Sequence, residues 1–396
     1  MSDRPAATPI PEGSVLLHIG PQKTGSTAIQ ESLHNAREQL AELGVFYPGP
    51  YRRPIEAGWA VLGHGAPLGR PEPRIETWEA LIEGLHASPL PRRILSNEDL
   101  SRGSDAVVER IVRDVGADDI QLLYVARRYD QLLPSHWQER LKARMTMSFE
   151  DFLRTVLEGE STTWEWRLMW ECQFPDQVLA SWGRFVPPER TTVIVLEGGD
   201  HDALPRAFEQ LLDLPTGLLV PPNVVANRSY TFPEAEALRR INRLAAQEKW
   251  PDRRYLDLVR RGVAKRWTNS PRPKNAPRLP GLPAWALDRV NDLADRQADA
   301  LLASGCRLIG SPDSLRTRDR AAPYIGPMEL AEVPLDLLEE AVGSLAERAA
   351  RTRKRSLAAQ RERLWKDSSG VVGTRQLARE LGRRVVRPLR RSKPPS

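Results

Sequence analysis

The hydrophobic pattern of the 396-residue chain predicts a three-layer α/β/α fold, with a mostly parallel central sheet and a helical C-terminal extension. Three observations predict it. The strand-like segments are continuous apolar runs, as in sheets covered on both faces, rather than alternating ones. Segments with apolar residues at helical spacing separate them. Gly and Pro mark many of the boundaries.

Residues 1–13 are Pro-rich and polar, a loose lead-in. Residues 14–20 (SVLLHIG) read as a buried strand between Gly13 and Gly20-Pro21. Over residues 26–43, Ile29, Leu33, Leu40 and Leu43 fall at helical spacing, and Gly44 stops the helix. A helical stretch around 77–86 leads to a short strand at 92–96 (RRILS). A strand at 120–126 (IQLLYVA) precedes a helix at about 130–144, and a strand at 191–196 (TTVIVL) precedes a helix at 203–212. Residues 149–184 are helical and Trp-dense; Trp164, Trp166 and Trp170 there either fill a core or stack on a sugar or lipid.

Beyond Pro215 no further strand is expected. Residues 232–248 and 285–302 read as helices. Between them, five prolines make 265–283 a loop or lid, with Trp267 available to cover an acceptor. Helices are expected at 335–365 and 374–386, and the last seven residues read as disordered. The organisation is a flexible 1–13, an α/β domain over 14–330 (core 14–230, helical or lid part 231–330) and a basic helical tail over 331–396.

The net charge of +6 is unevenly spread. Residues 341–396 hold 16 Lys/Arg and 4 Asp/Glu, which leaves 42 basic and 48 acidic residues in the remainder. The basicity belongs to the tail, so the acidic body is not expected to bind nucleic acid. In the tail, Arg351, Arg353, Lys354 and Arg355 cluster near Leu357, and Arg383, Arg384, Arg387, Arg390 and Arg391 interleave with Val385, Val386 and Leu389. Such stretches suit an anionic membrane surface or an acidic protein face. Two distant cysteines, Cys172 and Cys306, exclude a disulfide framework and a four-Cys zinc site. With no secretory signal and no long apolar run, a cytoplasmic, membrane-peripheral protein is expected.

The segment His18-Ile19-Gly20-Pro21-Gln22-Lys23-Thr24-Gly25-Ser26-Thr27 joins the first strand to the first helix. Free N–H groups and the helix dipole favour an anion there. Gly25 permits close backbone approach, Thr24, Ser26 and Thr27 add hydroxyls, and Lys23 adds a full charge. This is a P-loop-type phosphate cradle, but Lys23 precedes Gly25, unlike the lysine of a Walker A motif. A second strand runs into Arg127-Arg128, with Ser135 eight residues beyond Arg127. A third delivers Ser96-Asn97-Glu98-Asp99 to the sheet edge, where ligands of open α/β sheets sit.

Lys-Thr-Gly-Ser-Thr after a strand resembles the phosphosulfate-binding loop of sulfotransferases that use 3′-phosphoadenosine 5′-phosphosulfate (PAPS), particularly the bacterial and carbohydrate members. The resemblance spans about residues 14–230. It implies that Lys23, Thr24, Gly25, Ser26 and Thr27 hold the 5′-phosphosulfate, and that Arg127 and Ser135 bind the 3′-phosphate, with Arg128 facing solvent or the sheet edge. Ser96-Asn97-Glu98 is similar to the family's Ser-Ser-Glu pattern, which implies Glu98 as general base, with Asp99 in competition. Of six histidines, His64 in Gly63-His64-Gly65 is the reserve base, since cytosolic members use a His. Asn227, Arg228 and Ser229 correspond to a loop that closes over the nucleotide. The implied function is sulfuryl transfer from PAPS to a hydroxyl or amine of a carbohydrate, lipid or small-molecule acceptor, leaving adenosine 3′,5′-bisphosphate (PAP) and requiring no metal. The alternatives are a P-loop kinase or nucleotide-binding protein, and a degenerate sulfotransferase fold acting as a binding module.

Overall fold

The computed structural model describes residues 8–64, 72–159, 162–221, 228–272, 277–279, 281–318, 321–324 and 334–371. Six parallel strands form one sheet in the order β2-β3-β1-β4-β5-β6. They are β1 (Val15–Gly20), β2 (Val45–Phe46), β3 (Arg92–Ser96), β4 (Ile120–Ala126), β5 (Thr191–Val195) and β6 (Arg307–Ile309). The expected α/β architecture is therefore present. The central strand β1 pairs Leu17 with Leu95 on one side and Leu122 on the other. Its side chains are buried throughout, which explains its continuous apolar sequence.

Alternate strand residues feed two cores. On one face α1 (Ser26–Asn35), α2 (Arg37–Glu42) and a later helix, Ala203–Leu212, bring Ile29, Leu33, Leu40 and Phe208 onto Leu16, Ile94 and Val125. On the other lie α3 (Ile55–Leu62), α4 (Ile75–His86), α5 (Asp105–Val115) and the helix Pro175–Trp182, packing Trp78, Ile111 and Trp182 against Leu17, Leu95 and Leu122. The expected single helix over 26–43 is two, divided at Ala36.

A third core contains no strand. It gathers α6 (Tyr129–Lys142), α7 (Phe149–Leu157), α8 (Trp164–Trp170), then, past α9 (Pro175–Trp182) and α10 (Ala203–Leu212), α11 (Phe232–Gln247). After α12 (Asp252–Tyr255) comes a π-helical segment, Leu256–Ala264, then α13 (Lys265–Asn269), α14 (Ala284–Ala303) and α15 (Leu335–Val371). Thr231 and Glu234 close a capping box on α11.

Two expectations differ from the structure. A strand does follow Pro215: β6 pairs with β5 at the sheet edge, and with only three half-buried residues it carries no apolar run to read. The 265–283 segment begins as helix α13, and Trp267 is fully buried beside Tyr230 rather than free to cover a ligand. The Trp-dense stretch is helical as expected, in three short helices, and Trp170 stacks on Phe174 with ring centroids 4.8 Å apart. Trp166 and Trp170 border a cleft of about 320 Å³ with Phe174, Leu293 and Arg296, while Trp164 is exposed. The expected helix at 374–386 lies outside the described residues.

Candidate functional site

The carboxyl ends of β1, β3 and β4 lie side by side, so the loops after them meet at one edge of the sheet. The loop after β1 turns sharply. Gly20 has φ of 96°, and a Cβ there would come within 2.5 Å of Glu98 Cβ, so only glycine lets the loops after β1 and β3 approach this closely. Lys23 adopts a left-handed φ of 69°, an uncommon conformation for a side-chain-bearing residue and one found at functional loops. Gly25, at φ 93°, starts α1 against Leu204.

No side chain caps the N-terminus of α1 among the described residues. Thr24 and Ser26 both donate their hydroxyls back to Pro21 O, at 2.7 and 3.3 Å, which stiffens the turn and leaves the helix end open. Ser26 and Thr27 occupy the first turn with no acidic residue beside them. The geometry is that of an anion site: unspent N–H groups, a positive dipole end and an adjacent cation.

Arg127, at the end of β4, donates to Lys23 O at 2.7 Å and to Gln131 Oε1 at 3.2 Å. It therefore holds the loop's unusual backbone in place from the neighbouring strand. Of the two expected places for Arg128, solvent and the sheet edge, it does not take the first: it is buried just past the end of β4 and forms a two-pronged pair with Asp130, at 2.6 and 3.0 Å. Ser135 lies half-buried in the second turn of α6.

Lys23 Nζ meets Glu139 Oε2 of α6 at 3.2 Å, and Lys142 meets the same oxygen at 3.3 Å. Burial alone would raise the Glu139 pKa, but the two lysines outweigh it and hold it down at about 2. Burial, with Lys23 next, lowers the pKa of His136 to about 3, so its neutral ring faces the Gln173 amide at 3.1 Å. Gln173 in turn donates to Gln22 O at 2.9 Å, a second brace on the loop.

Glu98 is 8% exposed. Its Oε1 pairs with Arg53 Nη1, and its Oε2 accepts from Gln30 Nε2 of α1 at 2.6 Å. Burial pushes its pKa up, yet Arg53 and Gln30 prevail and hold it below the usual carboxylate value. Asp99 accepts from Gln22 at 2.5 Å and Trp59 at 3.2 Å, and Arg53 lies 3.6 Å from it. Asp99 thus joins the β1 loop to α3. Asn97 Nδ2 donates to Pro54 O at 2.9 Å, tying the loop after β3 to the start of α3.

His64 is exposed just past the C-cap of α3, where burial and then Arg102 lower its pKa, partly offset by Asp99 and Glu171. His18 is fully buried: Ser96 Oγ lies 2.8 Å from Nδ1, Phe208 meets the ring edge-on, and burial lowers the pKa to about 4. Arg228 is spent on Glu234 (2.6 and 2.8 Å) and on Ser270 O (2.7 Å), and it closes the start of α11. Ser229 lies beside it, and Asn227 falls outside the described residues. Among the described residues, no group of three His, Cys, Asp or Glu could hold a metal ion, and no helix is long and apolar enough to cross a membrane.

The sequence reading missed Arg53, Gln30, Glu139 and Lys142. The basic pair Arg52-Arg53 in the Pro-rich segment before α3 is the only trace of the first.

No protein-family model matches the chain, and no curated protein sequence matches it. Among solved structures, a sulfotransferase from Alicyclobacillus acidocaldarius is similar over 62% of this chain and 95% of its own length, at 15% identity and a TM-score of 0.38. The described residues form an α/β protein in which an uncapped helix start, Lys23 and a buried carboxylate share one edge of the sheet.

Proposed function

We propose that the chain is a sulfotransferase that moves a sulfuryl group from PAPS to a hydroxyl or amine of a carbohydrate, lipid or small-molecule acceptor. The observation that carries this reading is the uncapped start of α1, flanked by Lys23 and braced from β4 by Arg127. Main-chain N–H groups of residues 24–27 and the exposed hydroxyl of Thr27 suit the 5′-phosphate, whereas Thr24 and Ser26, whose hydroxyls are committed to Pro21 O, hold the loop in shape for it. Lys23 leaves Glu139 to neutralise the oxygen between sulfur and that phosphate as their bond breaks. Arg127 and Ser135 hold the 3′-phosphate. Glu98 takes the acceptor proton as the acceptor oxygen or nitrogen bonds to sulfur. A carboxylate paired with arginine is a weak base, so Arg53 must loosen its grip as the acceptor arrives. His64, nearer to solvent, serves as base only if Glu98 does not.

Glu98 and Asp99 at the end of β3, beside β1, are the one feature that favours a kinase, whose metal needs a carboxylate close to its phosphates. Arg53 already pairs with both of them. The two readings separate by calorimetric titration with PAP and with ATP plus magnesium. Sulfuryl transfer predicts tight binding of PAP without metal. Binding of ATP–magnesium alone would overturn the assignment.

A further inference from the structure

Helix α15 is 37 residues long, about 55 Å at helical rise, and only one side of its first half touches the body. Leu337, Ala341 and Ser344 are buried there. Arg348 donates to Arg261 O, through Nε at 3.1 Å and Nη2 at 2.5 Å. Helical periodicity puts Leu335, Leu338, Val342, Ala346, Ala349 and Leu357 on the side facing away, with Arg353 the one charged residue among them. Leu335 is 76%, Leu338 49%, Val342 55% and Leu357 49% exposed, so this apolar seam has no partner among the described residues.

Charge along the same helix is divided by length. Residues 335–347 carry Asp336, Glu339, Glu340 and Glu347 and no Lys or Arg, whereas Arg348, Arg351, Arg353, Lys354 and Arg361 follow. A helix that lies on anionic lipid needs its apolar residues bordered by cations. Here three of the four large exposed apolar residues sit in the acidic half, which an anionic surface repels.

We infer that α15 pairs antiparallel with α15 of a second copy of this chain. An isologous twofold contact, centred between Ala349 and Ala350, sets Val342 of each copy opposite Leu357 of the other. The small residues at the crossing let the axes come close. Arg353 then lies over Ala346 of its partner, a small residue that leaves it room, and the acidic first half of each helix lies along Lys354 and Arg361 of the other, whereas a parallel pairing would set like charges side by side. Because the seam points away from the body, the two bodies lie on opposite sides of the helix pair and do not collide.

The test is sedimentation equilibrium of the full chain, with and without anionic phosphatidylserine vesicles. The expected result is a concentration-dependent dimer, weakened by added salt and weakened about tenfold or more by Leu357→Asp, which buries a charge at the contact. Leu357 is exposed and remote from the sheet-edge site, so the variant should retain the wild-type melting temperature. Mixing Val342→Cys and Leu357→Cys chains should give oxidised dimers of unlike chains in preference to like ones. A monomer at tens of micromolar, a dimer indifferent to Leu357→Asp, cross-linking of like chains, or a monomer that binds the vesicles would each overturn the proposal.

Discussion

The two halves of the candidate site are built differently. The half around Lys23 is assembled from one short stretch of chain, with Arg127 bracing it from the next strand. The half around Glu98 is assembled from five places: the end of β3, Arg53 before α3, Gln30 within α1, and Gln22 of the β1 loop and Trp59 of α3 reaching Asp99. The first is open, with an uncapped helix end. The second is closed, its carboxylates already satisfied by buried donors. An anion can enter the first with no change beyond the release of Lys23 from Glu139, whereas chemistry at the second requires an ion pair to yield.

This contrast yields predictions. The largest effect belongs to the closed half. Glu98→Gln should cut sulfuryl transfer by about 100- to 10,000-fold while leaving PAP affinity within about twofold, as befits loss of a general base alone. Retained activity would move the base to His64 or Asp99. Next, Arg53→Leu leaves two carboxylates short of their counter-charge. Breaking such a buried pair costs about 3–5 kcal/mol, measurable in thermal or urea unfolding. In whatever activity remains, the acidic limb of the pH–rate profile should move to higher pH, because burial alone raises the pKa of Glu98.

A third prediction concerns pH and stability. His18 and His136 have folded pKa values of about 4 and about 3, below the unfolded value of 6.5. The unfolded chain therefore takes up protons that the folded chain refuses. Their contribution is intact above pH 6.5 and is lost as pH falls from there towards 4 and 3, at up to about 1.4 kcal/mol per pH unit for each histidine. Glu139, depressed from 4.5 to about 2, adds a loss as pH falls from 4.5 towards 2. His136→Gln should flatten the melting-temperature profile between pH 6.5 and 4; an unchanged slope would contradict the assignment. The smallest effect belongs to the open half: Glu139→Gln frees Lys23 from a competitor and should tighten PAP binding a few-fold.

The same contrast explains what the sequence discloses. β4 is legible to the residue because a buried parallel strand is a nearly continuous apolar run, and β3 is legible from its buried Ile94-Leu95-Ser96 end. The Lys23 loop was readable because its glycine, hydroxyls and lysine are contiguous. β6 was hidden because a three-residue edge strand has neither length nor apolar content. Arg53 and Gln30 were hidden because their meaning lies in a carboxylate 45 or more residues away, and no local pattern encodes a buried ion pair formed by tertiary contact. Arg228 shows the converse: its sequence suggested a nucleotide loop, and its guanidinium is held by the acidic residue of a capping box six positions on.

The central claim, that the open half recognises a nucleotide with both a 5′ and a 3′ phosphate, is tested most directly by calorimetric titration with PAP and with adenosine 5′-monophosphate, on the wild-type chain and on Arg127→Ala. Charge-assisted hydrogen bonds to the second phosphate are worth about 1.5–3 kcal/mol each. The wild type should therefore bind PAP at least about tenfold more tightly than the monophosphate, and Arg127→Ala should remove most of that difference. Equal affinity of the wild type for both nucleotides, or a preference for PAP that survives Arg127→Ala, would contradict it.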